Sequence, residues 1–198
     1  MLGQLQEHDL PGVLEELARG RAHHTAFVDG EVRLTYRDVR ARVHRLANAL
    51  EAMGLGRGDR ILYLTQNTYR IVEGVLAAAL LGAMICPVNW RQSAEELAFV
   101  IDDFSPKLVF WQEEEIGDAV RDARALAKTR AKAWLRHGGS GDDYETLLEN
   151  ADAKAKTRAI DPSLPVLVVY TAAFAGVPNG AMLNQTAILT QRDRKSVV

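Results

Sequence analysis

Apolar residues along this chain switch repeatedly between two spacings. Val39, Val43, Leu46, Leu50 and Met53 recur every three or four positions, the spacing of one helix face. Thr35 and Asp38 form a capping-box start for that helix, and Gly54 supplies its left-handed end. A shorter amphipathic helix is predicted from Pro11 to Arg19, with Val13, Leu14, Leu17 and Ala18 on one face. Between the two helices, Thr25–Val28 and Glu31–Leu34 flank Asp29-Gly30, the pattern of a hairpin.

Beyond Gly58-Asp59 the apolar runs become short and continuous. Arg60–Leu64, Met84–Val88, Lys107–Trp111, Ala131–Leu135 and Pro165–Tyr170 are predicted strands. Helical patterns separate them. One runs from Thr68 to Leu81 with Ile71, Val72, Val75, Leu76, Ala79 and Leu80 inward, closed by Gly82. Another opens on a Ser93/Glu96 capping box, runs through Leu97, Val100 and Ile101, and stops at Pro106. A surface helix is expected over Ile116–Ala127 and a short one over Tyr144–Glu149. His137–Gly141 reads as a flexible loop and Ala151–Arg158 as an exposed connection. Strands that are apolar throughout, alternating with helices, predict an α/β fold: a mostly parallel sheet with helices on both faces.

Composition narrows the function classes. Among 198 residues, 47% are hydrophobic and 25% charged, an ordinary globular balance. A net charge of −2 argues against a nucleic-acid binder. Arg37, Arg40, Arg42 and Arg45 make one side of the second helix basic, which we read as a solvated face. Cys86 is the single cysteine and lies in an apolar run, so a buried, inert thiol is expected. The adjacent His23 and His24 lack a neighbouring carboxylate or Cys at ligand spacing, so no metal site is assigned. The N-terminus carries acid and no apolar core, so it does not read as a signal peptide. The apolar stretch from Gly74 to Val88 is interrupted by Pro87 and is shorter than the roughly 20 residues a membrane span needs. A cytoplasmic protein without a transmembrane segment is expected.

Chemistry concentrates in residues 165–184. An apolar strand ends at Tyr170, a loop of small residues follows, and Pro178-Asn179-Gly180 leads into a second apolar stretch. A strand that ends in small residues can bring backbone N–H groups close to an anion. The stretch is neither a Walker loop nor a dinucleotide fingerprint. On spacing alone, a tight hairpin turn over Val177–Gly180 explains it slightly better.

The same stretch resembles the phosphate-binding signature of the adenylate-forming superfamily, Y-T-S-G-T-T-G-x-P-K-G-V-x-x-S-H. Tyr170, Thr171, Gly176, Pro178 and Gly180 match it. Ala172, Ala173, Phe174 and Ala175 stand where the family has Ser, Gly, Thr and Thr; Asn179 replaces the Lys, and Asn184-Gln185 replace Ser-His. Leu34-Thr35-Tyr36, Gly58-Asp59, Asn67, Gly82-Ala83, Pro87-Val88-Asn89-Trp90-Arg91, Glu96-Leu97 and Pro106-Lys107 follow the order typical of acyl-CoA synthetases in that superfamily. The resemblance runs from about Pro11 to Leu189. Asn89 is expected to bond backbone in its loop, and Asp59 and Gly82 to serve as turn and cap.

The resemblance implies a ligase that activates a carboxylic acid with ATP, releases pyrophosphate and passes the acyl group to coenzyme A. It implies Mg²⁺ as the triphosphate's counterion. It makes Thr171, Ala172, Ala173, Phe174, Ala175, Gly176, Asn179 and Gly180 the nucleotide-binding loop; no catalytic residue is assigned. Three hydroxyl donors and a charge are missing from that loop, and each hydrogen bond to a charged group is worth about 1.5–3 kcal/mol. The family's adenine, ribose and catalytic-lysine motifs are absent. Residues 1–192 therefore read as an incomplete N-terminal AMP-binding domain of the parent enzyme, inactive by itself. Asp193–Val198 match the translation of a common sequencing adapter and are expected to be a non-native tail. Two alternatives stay open: a non-catalytic nucleotide or acyl-CoA binding module, and an interaction domain. The acid and the oligomeric state, including a homo-oligomer, are left undetermined.

Overall fold

The computed structural model describes residues 9–139, 141–171 and 178–193. Helix α1 (Leu10–Gly20) is capped by Asp9, whose carboxylate accepts from the Gly12 N–H at 2.6 Å. Strands β1 (Thr25–Asp29) and β2 (Val32–Thr35) pair antiparallel, as expected of the Asp-Gly turn. Helix α2 (Tyr36–Ala52) starts on the full Thr35/Asp38 capping box. It ends where Gly54 takes φ +80° and the Leu55 N–H returns to the Leu50 carbonyl at 2.9 Å.

Strand β3 (Arg60–Leu64), helix α3 (Tyr69–Leu81), strand β4 (Met84–Pro87), helix α4 (Ala94–Phe104) and strand β5 (Leu108–Trp111) follow in alternation. Then come helix α5 (Gly117–Leu126), strand β6 (Ala133–Arg136) and helix α6 (Asp143–Glu149). Strands β7 (Pro165–Tyr170) and β8 (Gly180–Asn184) and helix α7 (Gln185–Asp193) complete the described chain. The main sheet has the order β6-β5-β3-β4-β7-β8; β8 runs antiparallel to β7, and the other neighbours are parallel. Among the described residues no helix is long and apolar enough to cross a membrane.

The sheet is covered on both faces because its strands alternate side by side. Ile61, Tyr63, Ile85, Leu108 and Phe110 face the layer of α2, α3 and α6. Leu62, Leu64, Cys86 and Val109 face α4 and α5. Cys86 is fully buried, and that burial pushes its thiol up to about 12. Helix α5 is therefore less superficial than its sequence implied: Val120 and Ala123 are buried against the second layer.

Helix α3 buries more than the face its apolar spacing indicated. Ala79 and Leu80 are buried and Ile71, Val75 and Leu76 pack half-buried on the core, as expected; Val72 is 40% exposed instead, and Glu73, Gly74, Ala77 and Ala78 are buried as well. Close approach to the sheet selects small residues. Tyr63 of β3 stacks at 5.0 Å on Phe110, which meets Tyr144 edge-on at 5.2 Å. The Tyr63 hydroxyl lies directly against Gly74, where a Cβ would collide with it.

The basic side of α2 is likewise not solvated throughout. The Arg42 Nε donates to Glu73 of α3 at 2.6 Å, and its Nη1 donates to Glu145 of α6 at 2.7 Å. Arg70 bonds Glu145 at 2.8 Å and Asp142 at 2.7 Å, while the Tyr144 hydroxyl donates to Glu73 at 2.8 Å. Glu73 is fully buried, so its charge requires these partners. One turn further along α2, Arg45 donates to the carbonyls of Leu148 and Ala151. Asn48 donates to those of Asp152 and Lys154, and its own amide oxygen accepts from Arg158 at 2.7 Å. The 151–158 connection is largely exposed, as expected, and is also seated on α2 as a strap. At the other end of α6, His137 is 3% exposed and the Gly138 N–H donates to Asp142 at 2.8 Å. The start of the glycine-rich loop is therefore anchored, while Ser140 lies outside the described residues.

Two consequences can be measured. Substituting Gly74→Ala should cost about 1–3 kcal/mol of unfolding free energy through overpacking, although alanine is the better helix former. Tyr63→Phe removes a buried hydroxyl that has no partner among the described residues, and should leave stability equal or higher. Urea denaturation of both variants checks the pair; a destabilised Tyr63→Phe contradicts this packing.

The second concerns acid. Burial alone would raise Glu145, but Arg42 and Arg70 outweigh it and hold the carboxyl down from 4.5 to about 2. Its contribution is therefore complete above about pH 4.5 and is lost as pH falls toward 2. Burial, helped by the Arg70 charge, holds His137 down from 6.5 to about 4. The unfolded chain takes up that proton first, so stability falls from about pH 6.5 to pH 4. Glu73 is raised by burial and acts in the opposite sense. Unfolding midpoints across pH should lose the upper limb in His137→Asn and the lower limb in Glu145→Gln.

Candidate functional site

Strand β4 sends its chain back across β3 to β5, whereas β7 sends its chain outward into β8. Neighbouring parallel strands with diverging connections leave a crevice beyond their carboxyl ends. A cavity of about 440 Å³ opens there, lined by Asn89, Arg91, Gln92, Glu96, Tyr170 and Thr171, among others.

The wall after β4 is a compact turn. The Asn89 side-chain oxygen accepts from the Arg91 N–H at 3.1 Å, and the Gln92 N–H bonds the Asn89 carbonyl at 3.1 Å. Asn89 is thus the backbone-bonding residue the sequence implied. The Arg91 guanidinium lies 4.2 Å from the Trp90 ring centre, an arrangement that holds the cation at the rim. The Glu96 carboxylate accepts from the Ser93 N–H at 2.8 Å, which spends it on the capping box. The Gln92 Oε1 is buried with no partner among the described residues.

The opposite wall is the base of the β7–β8 connection. Tyr170 pairs with Gly180 across the strands. The Thr171 N–H donates to the Asn179 carbonyl at 3.0 Å, and the Asn179 N–H donates to the Thr171 Oγ1 at 3.2 Å. The connection therefore spans 171–179, and Gly180 belongs to a strand rather than to a tight turn. Its hydroxyl oxygen already an acceptor, Thr171 keeps a hydroxyl proton to donate. The Tyr170 hydroxyl donates to Asp103 of α4; burial and that carboxylate push its pKa up, so it stays protonated.

Of the residues expected in the nucleotide loop, Thr171, Asn179 and Gly180 are exposed at this base. Ala172, Ala173, Phe174, Ala175 and Gly176 lie outside the described residues, as does Val177. Asn184 and Gln185 have structural duties. Asn184 caps α7 through the Ala187 N–H at 2.8 Å, and buried Gln185 accepts from the Leu10 N–H at 2.9 Å, tying α1 to α7. Arg91 and Gln92 were not singled out as site residues from the sequence. Their position directly after a parallel strand was the available signal, but its use required knowing that β4 neighbours β7.

Arg91, the Asn89 and Gln92 amides and the Thr171 hydroxyl make the cavity suited to a polar, anionic ligand. No group of three or more His, Cys, Asp or Glu side chains that could hold a metal occurs among the described residues. The AMP-binding enzyme family matches residues 14–196. The chain belongs to that family. In this AMP-binding enzyme chain, 158 residues are 34% identical to an indoleacetate–CoA ligase from Aromatoleum aromaticum, covering 78% of the chain and 31% of the relative. A fatty acid–[acyl-carrier-protein] ligase, ScoC, from Streptomyces coeruleorubidus is 30% identical over 161 residues, covering 81% and 30%. Among solved structures, the inhibitor-bound N-terminal domain of FACL13 from Mycobacterium tuberculosis superposes with a TM-score of 0.79 at 26% identity, covering 89% of this chain and 44% of that one. The chain thus spans less than a third of the length of these two curated relatives. The match places the 165–184 stretch inside an AMP-binding domain, and the parallel sheet expected from the sequence is the one that domain uses.

Proposed function

We propose that this chain supplies the phosphate-binding loop of an ATP-dependent ligase that converts a carboxylic acid to an acyl-adenylate and then to a thioester. The observation that carries the reading is the connection 171–179, closed at its base by Thr171 and Asn179. That base borders a cavity lined by Arg91. Backbone amides and the Thr171 hydroxyl would face the β- and γ-phosphates. A Mg²⁺ ion would ride on those phosphates, since the one carboxylate lining the cavity among the described residues, Glu96, is engaged in the capping box. When bound, the ion neutralises triphosphate charge as pyrophosphate leaves.

The relatives are named for indoleacetate and for a fatty acid, so we read the substrate as a carboxylic acid with an apolar body. The acceptor is a thiol, that of coenzyme A or of a carrier protein. Both ATP and such thiols are pools of the cell interior, and we read the reaction as cytoplasmic. Residues 1–192 serve in this reading as the N-terminal part of an AMP-binding domain, with 193–198 as a non-native tail; oligomerisation is no part of it.

A second reading is favoured by the loop's own composition. Ala172, Phe174 and Ala175 replace hydroxyl donors and Asn179 replaces an ammonium donor, which suits a nucleotide-binding module that does not turn over. Titrating Mg·ATP into the chain tests both readings. We expect saturable binding without acid-dependent ATP–pyrophosphate exchange. Asn179→Lys should tighten ATP about tenfold or more by restoring a charge-assisted contact. Exchange by the wild-type chain would establish catalysis by this chain itself. An affinity that ignores Asn179→Lys would leave an interaction domain as the reading.

A further inference from the structure

Gly180 does not need to be glycine for its backbone. It lies in a regular antiparallel pair and is not among the glycines with positive φ. What it lacks is room. A Cβ there would stand 3.3 Å from Cζ of Tyr170 and 3.2 Å from Cγ1 of Val168. The Tyr170 ring lies across its cross-strand partner, as aromatic rings do over sheet glycines. From that position the Tyr170 hydroxyl reaches Asp103 near the end of α4. The next residue along is Thr171, whose N–H and Oγ1 close the loop base on Asn179.

We propose that Tyr170, Gly180 and Asp103 form a latch that fixes the base of the 171–179 connection against α4, making Tyr170 a positioning residue for the nucleotide loop. Helix α4 is a sound anchor. Leu97, Val100 and Ile101 bury it in the second core layer, and its first turn carries Glu96 into the cavity wall. The latch therefore links the two walls of the cavity through one ring. It assigns Gly180 a steric task next to the loop rather than contact with phosphate. An ordered base lowers the entropy lost when an anion binds. The nucleotide part of this inference rests on the function proposed above; the anchoring part does not.

The test uses the 198-residue chain and two readouts. Amide hydrogen exchange at Thr171 and Asn179, referenced to Leu62 in β3, reports the loop base. Isothermal titration with Mg·ATP reports the site. Tyr170→Phe and Asp103→Ala should each speed exchange at Thr171 and Asn179 and weaken ATP by about threefold to tenfold, the worth of one hydrogen bond. The unfolding midpoint should fall by no more than the worth of one hydrogen bond. Asp103→Asn keeps an acceptor oxygen and should behave as wild type. Gly180→Ala must displace the ring by a few tenths of an ångström, and its effect should not add to that of Tyr170→Phe. If wild type binds no ATP while Tyr170→Phe still loosens the base, the nucleotide reading fails and the latch stands. If ATP binds and Tyr170→Phe and Asp103→Ala change neither readout, the latch is overturned. A uniform rise in exchange, Leu62 included, overturns it as well, since that is a general loss of stability.

Discussion

The Arg42 guanidinium decides how the second half of this chain returns to the sheet. It lies between Glu73 and Glu145 and so joins α2, α3 and α6 at one point. A carboxylate as buried as Glu73 would be costly alone, and a guanidinium fork is the side chain that can serve two carboxylates at once. With α6 held there, the chain that follows it returns along α2. Arg45 and Asn48, successive three-residue steps along α2, take its carbonyls one after another. The strap therefore arrives beside β4, and β7 is laid down as β4's neighbour.

That placement creates the site. A loop of small residues has no binding capacity without walls, and the walls here come from two distant segments. One is the Asn89–Gln92 turn after β4, the other the closed base of the β7–β8 connection. Neither contains a reactive group. What they share is an arrangement of donors around a cavity at the carboxyl edge of a parallel sheet, where α/β folds bind anions repeatedly. The chemistry expected of an AMP-binding domain is likewise one of charge neutralisation more than of nucleophiles, so an atypical loop alters binding strength before it alters reaction type.

The order of helices and strands, both capping boxes, the Asp-Gly hairpin and the left-handed ends at Gly54 and Gly82 were legible from residue types alone. Each depends on partners within a few positions: Thr35 meets Asp38, Ser93 meets Glu96, and Leu55 returns to Leu50. Parallel pairing was legible too, because strands buried on both faces are apolar throughout. The motif at 165–184 falls within the residues that the AMP-binding enzyme family matches.

Tertiary structure alone decided the rest. The burial of Glu73 and Gly74 on α3, and the exposure of Val72, were not legible because they are set by the Tyr63 ring and by an ion pair, not by side-chain size along one stripe. The arginines of α2 looked solvated because Glu145 stands 103 residues away from Arg42. Arg91 and Gln92 joined the site only when the sheet order set β4 against β7. The physical reason is the same in each case. Local hydrogen bonds are encoded by neighbours in the chain, whereas burial of a charge, a glycine's steric role and the walls of a cavity depend on which distant surfaces meet.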